Sequence, residues 1–208
     1  MRVIRLTKKI FEKVIKQAYL ILKKGEVIVY PTETSYGLGG DATQKKAVKK
    51  IFKIKKRVLN KPVTFLVSSF KMAKCYFKFD KISWRLAKKY WPGPLTLVLG
   101  KNQKKKKKVY ADPLGENKTF GVRISSQPVA RRLVKVLRRP LVTTSANISG
   151  DQPAYSVSDV IKQFKNKKYQ PDLILDFGKL KKIKTSTVIK IENNSIKVLR
   201  PGPIKIKN

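Results

Sequence analysis

Polar residues that could bind an anionic ligand are concentrated in three short segments, each beside the end of a predicted strand or helix. Residues 31–39 combine hydroxyl side chains with glycines, which let a ligand approach the backbone closely. Residues 55–57 place two lysines and an arginine at the predicted end of a helix, and residues 143–150 follow a predicted buried strand directly. Because ligands of open α/β sheets bind where strands end, these segments together predict a site for an anion.

Each of the three segments also has an ordinary structural explanation. A loop rich in Thr, Ser and Gly after a strand is usually a turn, and cations at a helix end usually interact with the helix dipole. Serine and asparagine after a strand often cap the next helix. Taken singly, each segment is therefore explained by local structure, and only their combination predicts a site. The sequence contains neither a GxxxxGK[ST] nor a GxGxxG pattern, so a bound nucleotide would not use a P-loop or a dinucleotide fingerprint.

The composition excludes several kinds of catalysis. The 208 residues include no histidine, which removes Ser-His-Asp and Cys-His catalysis and histidine-ligated metal sites. The single cysteine, Cys75, excludes an intrachain disulfide, fits a reducing compartment, and lies in an apolar stretch typical of a packed thiol. Any chemistry must therefore use Lys, Arg, Ser, Thr, Asn and a few carboxylates.

The chain carries a formal net charge of +38, from 50 Lys and Arg against 12 Asp and Glu. Such an excess creates a positive potential that favours polyanions such as RNA or nucleotides. Lysines are spread along the whole chain, however, as a biased coding composition would also produce. The charge therefore supports an anionic partner without identifying one.

No apolar run approaches the ~20 residues that cross a bilayer, and the N-terminus does not resemble a signal peptide, so we expect a cytoplasmic protein without membrane contact.

The pattern of elements predicts an α/β fold in which helices flank a mixed sheet. Helices are predicted over residues 8–24, 43–57, 80–91 and 128–137, and strands over 27–30, 63–67, 95–99, 120–124, 141–144, 173–176, 188–192 and 196–199. Residues 32–40 are interpreted as a glycine-rich loop and the five lysines at 104–108 as a solvated loop. With no linker or repeat, a single domain over residues 1–208 is expected.

At these same segments the sequence resembles the YrdC/TsaC family. The matching segments are YPTETSYGLG at 30–39, IFKIKKRVLNKPV at 51–63, WPGPLTLVL at 91–99 and PLVTTSANISG at 140–150, with shorter matches at 121–124 and 199–203. They occur in the family's order and cover nearly the whole chain. The resemblance implies a twisted mixed sheet around a positively charged cleft, in the short single-domain form that lacks the additional C-terminal domain of longer members.

The activity that the resemblance implies is threonylcarbamoyl-AMP synthesis, a nucleotidyltransferase reaction. L-threonine, bicarbonate and ATP, with Mg²⁺ carried on the triphosphate, would give threonylcarbamoyl-AMP and pyrophosphate. The product serves N6-threonylcarbamoyladenosine (t6A) formation at position 37 of tRNAs that read ANN codons. Partner proteins of the TsaD/TsaB/TsaE type would complete the transfer, and tRNA or another RNA stays open as a further partner.

The resemblance also implies which residues bind ATP. Lys55 and Arg57 would grip the phosphates and act as the catalytic pair, and Arg200 would add a further phosphate contact. Ser145 and Asn147 would bind the nucleotide through hydroxyl and amide. In the family, the combination of Lys-x-Arg with Ser-x-Asn marks the synthases, whereas relatives resembling YciO lack it in full. Both halves are present here.

Four further residues would form the threonine site by the same resemblance. Arg123 would hold the carboxylate, while Thr32, Thr143 and Ser186 would bind the other polar groups.

Two alternative functions remain from the residues alone. One is a protein that binds double-stranded RNA or tRNA without catalysis, since Lys and Arg bind phosphates of any sequence. The other is a carbamoyl-transfer module like that of hydrogenase-maturation proteins, against which the absence of flanking domains and of paired cysteines argues.

Overall fold

The computed structural model describes residues 1–58, 63–102, 109–110 and 119–206. The lysine run at 104–108 lies outside these ranges, so its prediction as a solvated loop stays a prediction. In the described ranges the chain forms eleven strands in one sheet and six helices. The strands are β1 Arg2–Arg5, β2 Ile28–Pro31, β3 Tyr36–Asp41, β4 Thr64–Leu66, β5 Phe77–Lys78, β6 Leu95–Lys101, β7 Thr119–Arg123, β8 Leu141–Ser145, β9 Leu173–Asp176, β10 Thr187–Glu192 and β11 Ser195–Arg200. The helices are α1 Phe11–Lys23, α2 Lys45–Lys55, α3 Phe70–Tyr76, α4 Lys81–Tyr90, α5 Pro128–Leu137 and α6 Val157–Phe164.

The sheet mixes parallel and antiparallel pairs, which confirms the predicted fold class. Its strand order is β1-β9-β2-β3-β8-β4-β7-β6-β10-β11, and β5 pairs with β6. β8 lies near the centre and is antiparallel to both neighbours, β3 and β4, whereas β4 and β7 are parallel. The end of β8 and the start of β3 therefore lie together, since Ser145 pairs with Gly37, and they carry two of the three segments that the sequence singled out. β7 ends level with the start of β8, because Leu66 of β4 pairs with both Arg123 and Leu141.

Helices cover both faces of the sheet because the strands alternate apolar side chains between two cores. Along β2, Val29 belongs to one buried cluster, while Ile28 and Tyr30 belong to the other. This alternation is what the two-residue period of a strand requires. One core takes apolar residues from α2, α3, α4 and α6, and the other takes them from α1 and α5. Because both faces of the sheet are covered, the register of the strands is fixed. The positions of the polar residues at the strand ends are fixed with it.

The prediction of a glycine-rich loop over residues 32–40 was wrong for its second half, because residues 36–41 form β3. Its glycines serve close packing between strands. A Cβ at Gly39 would lie 2.5 Å from the carbonyl oxygen of Val142 and 2.9 Å from Cε1 of Tyr30. Only glycine fits there. The glycine that suggested a turn instead allows the Tyr30 side chain of β2 to cross over β3.

The sequence patterns missed four short elements: β1, α3, β5 and α6. The two helices span only seven and eight residues, which leaves little helical periodicity to detect. Local capping nevertheless marks them. Ser69 caps α3, and α6 begins with a capping box in which the Ser156 hydroxyl accepts from the amide of Asp159. None of the helices in the described ranges is both long enough and apolar enough to span a membrane.

Candidate active site

One cavity of about 430 Å³ is lined by the start of β3, the end of β8 and the last residue of β7. Seven separate parts of the chain line it, and every residue that the sequence analysis assigned to a site is among its lining residues: Thr32, Lys55, Arg57, Arg123, Thr143, Ser145, Asn147, Ser186 and Arg200. The volume is within the range of small-molecule sites in proteins. The structure thus brings the predicted residues together, and their individual roles stay predictions.

Lys55, the last residue of α2, is buried and makes three hydrogen bonds to the loop that follows β8. Its ammonium donates to the carbonyl oxygens of Ser145 at 2.8 Å and Asn147 at 2.7 Å, and to Oδ1 of Asn147 at 3.1 Å. Burial, and then the charge of Arg57, lower the pKa of Lys55 to about 7. Since an ammonium has three N–H donors, a phosphate oxygen could contact Lys55 only by replacing one of these partners.

Asn147 uses its side-chain amide within the same loop. Oδ1 accepts from Lys55, while Nδ2 donates to the carbonyl oxygens of Ile148 at 2.9 Å and Asp151 at 2.6 Å. The two motif halves therefore bind each other across 92 residues of sequence. We call Lys55, Ser145, Asn147 and Asp151 the tied corner, because its amide and ammonium donors are satisfied within the protein.

Thr32 lines the cavity, but its hydroxyl is engaged in its own loop. It donates to the carbonyl oxygen of Ser35 at 2.7 Å and accepts from the amides of Thr34 and Ser35. Its oxygen also lies 3.1 Å from the Thr34 hydroxyl. The hydroxyl thus folds the turn between β2 and β3. The methyl group of Thr32 faces the position of Gly37, where a Cβ would lie 3.2 Å away.

Arg123, the last residue of β7, retains unused hydrogen-bonding capacity. Only 6% of its surface is exposed, and Nη1 donates to Oε1 of Glu33 at 3.0 Å. The other carboxylate oxygen of Glu33 accepts from the Ser125 hydroxyl. Within the described ranges, Nε of Arg123 is buried and has no hydrogen-bond partner. A buried donor of a charged group is costly to leave unpaired, and because Arg123 lines the cavity its positive charge favours an anion there.

Thr143 of β8 receives a hydrogen bond of 2.6 Å from the buried hydroxyl of Tyr30. Beside it, Gly37 lets these side chains pack closely at the cavity wall. A Cβ at Gly37 would lie 3.3 Å from Oγ1 of Thr143 and 3.3 Å from Cζ of Tyr30. We call Gly37, Arg123 and Thr143 the open corner, because groups there face the cavity without a full set of protein partners.

Arg200 and Ser186 close the opposite side by binding each other. The guanidinium of Arg200 donates to the Ser186 carbonyl oxygen at 2.9 and 3.1 Å and to its hydroxyl at 3.0 Å. The Ser186 hydroxyl also lies 2.8 Å from that of Thr96. The end of β11 is thereby held against the segment that precedes β10, so both residues reach the cavity through one connected group.

The lining is strongly basic. Arg57 follows Lys56, which adopts a left-handed conformation with φ +49° and ends α2 at the cavity. Burial lowers the pKa of Arg57, and its guanidinium carbon lies 5.9 Å from the ring centroid of Phe52. The lining residues that the structure describes include two lysines, three arginines and no carboxylate. Such a lining favours anions. Nowhere in the described ranges do three or more His, Cys, Asp or Glu residues cluster as metal ligands would.

Sequence reasoning missed two residues that contact the predicted site residues. Glu33 stands inside the matched segment at 30–39 but received no role, although it is the one acid in that segment. Tyr30 was assigned only to a buried strand. Its hydroxyl was the available signal, because a buried tyrosine usually has a hydrogen-bond partner. Neither partner, Arg123 nor Thr143, could be read from spacing, since each lies at least 90 residues away.

Comparison with known proteins places the chain among relatives of the same architecture. The Sua5/YciO/YrdC family model, whose description is "Telomere recombination", matches residues 20–202. The threonylcarbamoyl-AMP synthase of Pyrococcus abyssi is 33% identical over 206 residues, which cover 99% of this chain and 58% of that protein. The crystal structure of P. abyssi Sua5 complexed with L-threonine superposes with a TM-score of 0.87, at 33% identity, over 97% of this chain and 58% of that one. The chain thus spans about three fifths of the P. abyssi protein.

Two bacterial relatives cover more of their own length. The threonylcarbamoyl-AMP synthase of Buchnera aphidicola is 37% identical over 142 residues, which are 67% of this chain and 73% of that protein. Escherichia coli YciO is 31% identical over 94% of this chain and 92% of its own. Its crystal structure superposes with a TM-score of 0.82 over 99% of this chain and 97% of that one. With a family model matched over most of its length and this fold shared throughout, the chain belongs to the Sua5/YciO/YrdC family.

Proposed function

We propose that this chain is a threonylcarbamoyl-AMP synthase, a nucleotidyltransferase that supplies the intermediate for t6A at position 37 of tRNAs reading ANN codons. The observation that carries the proposal is one basic cavity that Lys55, Arg57, Ser145 and Asn147 line together. These are the two motif halves that distinguish synthases from YciO-like relatives. Relatives from Pyrococcus and Buchnera that bear this name add support.

The reaction needs positioning and charge neutralisation more than covalent catalysis. The amine of threonine would attack the carbon of carbon dioxide with loss of a proton, or that of bicarbonate with loss of water, to give a carbamate. A carbamate oxygen would then attack the α-phosphorus of ATP, and pyrophosphate would leave. Both reactants of the second step are anions, so a basic, preorganised cavity lowers the barrier by holding them together. A chain without histidine can supply this chemistry.

The hydrogen bonds within the cavity favour a division of roles among its residues. The free edge of Arg123 would take the threonine carboxylate, and Thr143 would face the threonine side chain. Arg57, Arg200 and the Ser145 hydroxyl would contact the triphosphate, which brings its own Mg²⁺. Lys55 would add charge to the phosphate region while holding the loop that carries Ser145.

Because threonylcarbamoyl-AMP is a reactive mixed anhydride, a partner must consume it promptly. We therefore expect transfer proteins of the TsaD/TsaB/TsaE type and tRNA downstream, and we expect the enzyme in the cytoplasm where tRNA is modified. The basic surface of the chain fits a role near RNA, but the proposed chemistry requires only the cavity.

The function is tested by pyrophosphate release from purified protein with ATP, L-threonine and bicarbonate. We expect release only when threonine is present, and we expect Arg57→Ala to lose about a hundredfold or more of it because a phosphate contact is gone. Arg132→Ala is the matched control, since Arg132 pairs with Glu12 on the surface away from the cavity. Circular dichroism would establish that both variants remain folded.

Two results would reject the proposal: ATP turnover that does not depend on threonine, or an Arg57→Ala variant with full activity. Salt-sensitive RNA binding together with no threonine-dependent turnover would instead support the noncatalytic RNA-binding alternative, since binding through phosphate contacts collapses as salt is raised.

A further inference from the structure

A pair of buried hydroxyls links the core of the sheet to the cavity. Tyr30 in β2 is fully buried, and its hydroxyl reaches Thr143 in β8, two strands away, at 2.6 Å. β3 lies between them and presents Gly37 and Gly39 to the tyrosine ring, with a Cβ at Gly39 only 2.9 Å from Cε1 of Tyr30. The glycines of β3 therefore allow the ring to cross over this strand and reach the far side.

The direction of this hydrogen bond is fixed by what surrounds it. The described residues offer the Tyr30 hydroxyl no partner other than Thr143. Burial raises the pKa of Tyr30 above its ordinary value, so the phenol keeps its proton and remains a donor. The oxygen of Thr143 must then accept, and its own hydrogen finds no acceptor among the described residues. Because Thr143 lines the cavity, that hydrogen is available to a ligand.

The cavity wall at Gly37 presents one polar and one apolar group side by side. At the position of Gly37, a Cβ would lie 3.2 Å from the methyl carbon of Thr32 and 3.3 Å from Oγ1 of Thr143. The side chain of L-threonine likewise carries one methyl and one hydroxyl on its β-carbon. Arg123 lines the same cavity and offers a separate positive charge for the carboxylate, which leaves Thr143 for the side chain.

We propose that Tyr30 is a positioning residue that fixes the Thr143 hydroxyl as a donor to the side-chain oxygen of the amino-acid substrate. This inference rests on the proposed function and deepens it, since it names the groups that select a β-hydroxy amino acid. A substrate without an acceptor at this position leaves the Thr143 hydrogen unpaired, which sites built for hydrogen bonding reject. The methyl of Thr32 would separately favour threonine over serine.

The test compares L-threonine with L-2-aminobutyrate, which has the methyl group but lacks the hydroxyl. Pyrophosphate release would give kcat/KM for each amino acid and KM for ATP. In Tyr30→Phe we expect the preference for threonine over aminobutyrate to fall about fivefold, with the KM for ATP unchanged, because only one hydrogen bond is disturbed. Thr143→Val should reduce this preference further. The double variant Tyr30→Phe/Thr143→Val should show the same preference as Thr143→Val alone.

Two variants separate positioning from general damage. Thr143→Ser keeps the hydroxyl and should retain most of the preference. Tyr155→Phe removes another partly buried tyrosine hydroxyl, which bonds the Ile183 carbonyl at 3.2 Å, and should leave the preference as in the unmodified enzyme. Should Tyr30→Phe lower turnover of both amino acids equally, or raise the KM for ATP in parallel, Tyr30 would be merely structural and the inference overturned.

The failure of this inference is distinguishable from failure of the proposed function. If the unmodified chain releases no pyrophosphate in response to threonine, the function itself is rejected and the inference with it. If threonine-dependent release is present and Tyr30→Phe keeps the full preference, the function stands and only the role of Tyr30 is rejected. Calorimetric titration of threonine and aminobutyrate into each variant would give the dissociation constants, and hence the same comparison without turnover.

Discussion

The tied corner and the open corner of the cavity are built from similar polar residues but use them differently. In the tied corner, the ammonium of Lys55 and the amide of Asn147 have all their partners within the protein. In the open corner, Nε of Arg123 and the hydrogen of Thr143 have none among the described residues. Hydrogen bonds made before a ligand arrives hold a site in shape, whereas donors left unused are the ones that recognise it.

This difference separates the expected effects of substitutions in the two corners. Changes in the tied corner should act first on stability, because they break bonds that exist without ligand. Changes in the open corner should act first on amino-acid binding and leave stability nearly unchanged. The following predictions test that separation.

The largest effect is expected from Lys55→Met. Methionine fills similar space but removes the donor to both oxygens of Asn147, whereas the Ser145 oxygen keeps a hydrogen bond from the Asn147 amide. Each buried acceptor left unpaired costs about 1–3 kcal/mol, so we expect the free energy of unfolding to fall by about 3 kcal/mol. Urea denaturation measures it, with Lys53→Met as the control because Lys53 is exposed on the same helix. A Lys55→Met variant of unchanged stability would contradict the structural role of the tied corner.

A smaller effect is expected from Arg123→Lys, and it should act on threonine binding and not on stability. Lysine keeps the charge beside Glu33 but lacks the second edge of the guanidinium. We expect the KM for threonine to rise about thirtyfold, roughly 2 kcal/mol, with little change in melting temperature. Arg139→Lys is the matched control, since Arg139 pairs with the buried Asp41 outside the cavity. Loss of stability with an unchanged threonine KM would place Arg123 with the tied corner instead.

The smallest effect is a pH dependence that belongs to Lys55. Its pKa is about 7 in the folded chain and about 10.5 when unfolded, so the unfolded state binds more protons between these values. Stability attributable to Lys55 should therefore increase as pH rises above 7, by about 1 kcal/mol between pH 7 and pH 8. Urea midpoints of the unmodified chain and of Lys55→Met give this difference at each pH, and a constant difference would mean that Lys55 stays charged.

The alternation of helix and strand patterns predicted the fold class, and resemblance to the family supplied the nine candidate site residues. The nine assigned residues line one cavity, to which the start of β3, the end of β8 and the last residue of β7 all contribute. The sequence did not predict which polar groups would find all their hydrogen-bond partners within the protein. Lys55 and Asn147 read as ligand-binding residues by type, yet their partners are each other, 92 positions apart.

The misread segment at residues 32–40 has a similar cause. Glycine is typical of both turns and close strand contacts, and the choice at Gly39 is made by Val142 and Tyr30, which are distant in sequence or on another strand. The role of Glu33 likewise depends on Arg123 at the end of β7. Residue type and spacing thus indicate which groups can meet, but the hydrogen-bond partners are set by tertiary structure.

The most direct test of the central claim follows the carbon of bicarbonate into the product. Isotopically labelled bicarbonate, ATP and L-threonine would be incubated with the protein, and the nucleotide products analysed by mass spectrometry alongside pyrophosphate. We predict threonylcarbamoyl-AMP that carries one labelled carbon, formed in equal amount to pyrophosphate and lost in Arg57→Ala. Adenine nucleotide products that form equally well without threonine, or a product without the label, would contradict a cavity that joins ATP to the carbamate of threonine.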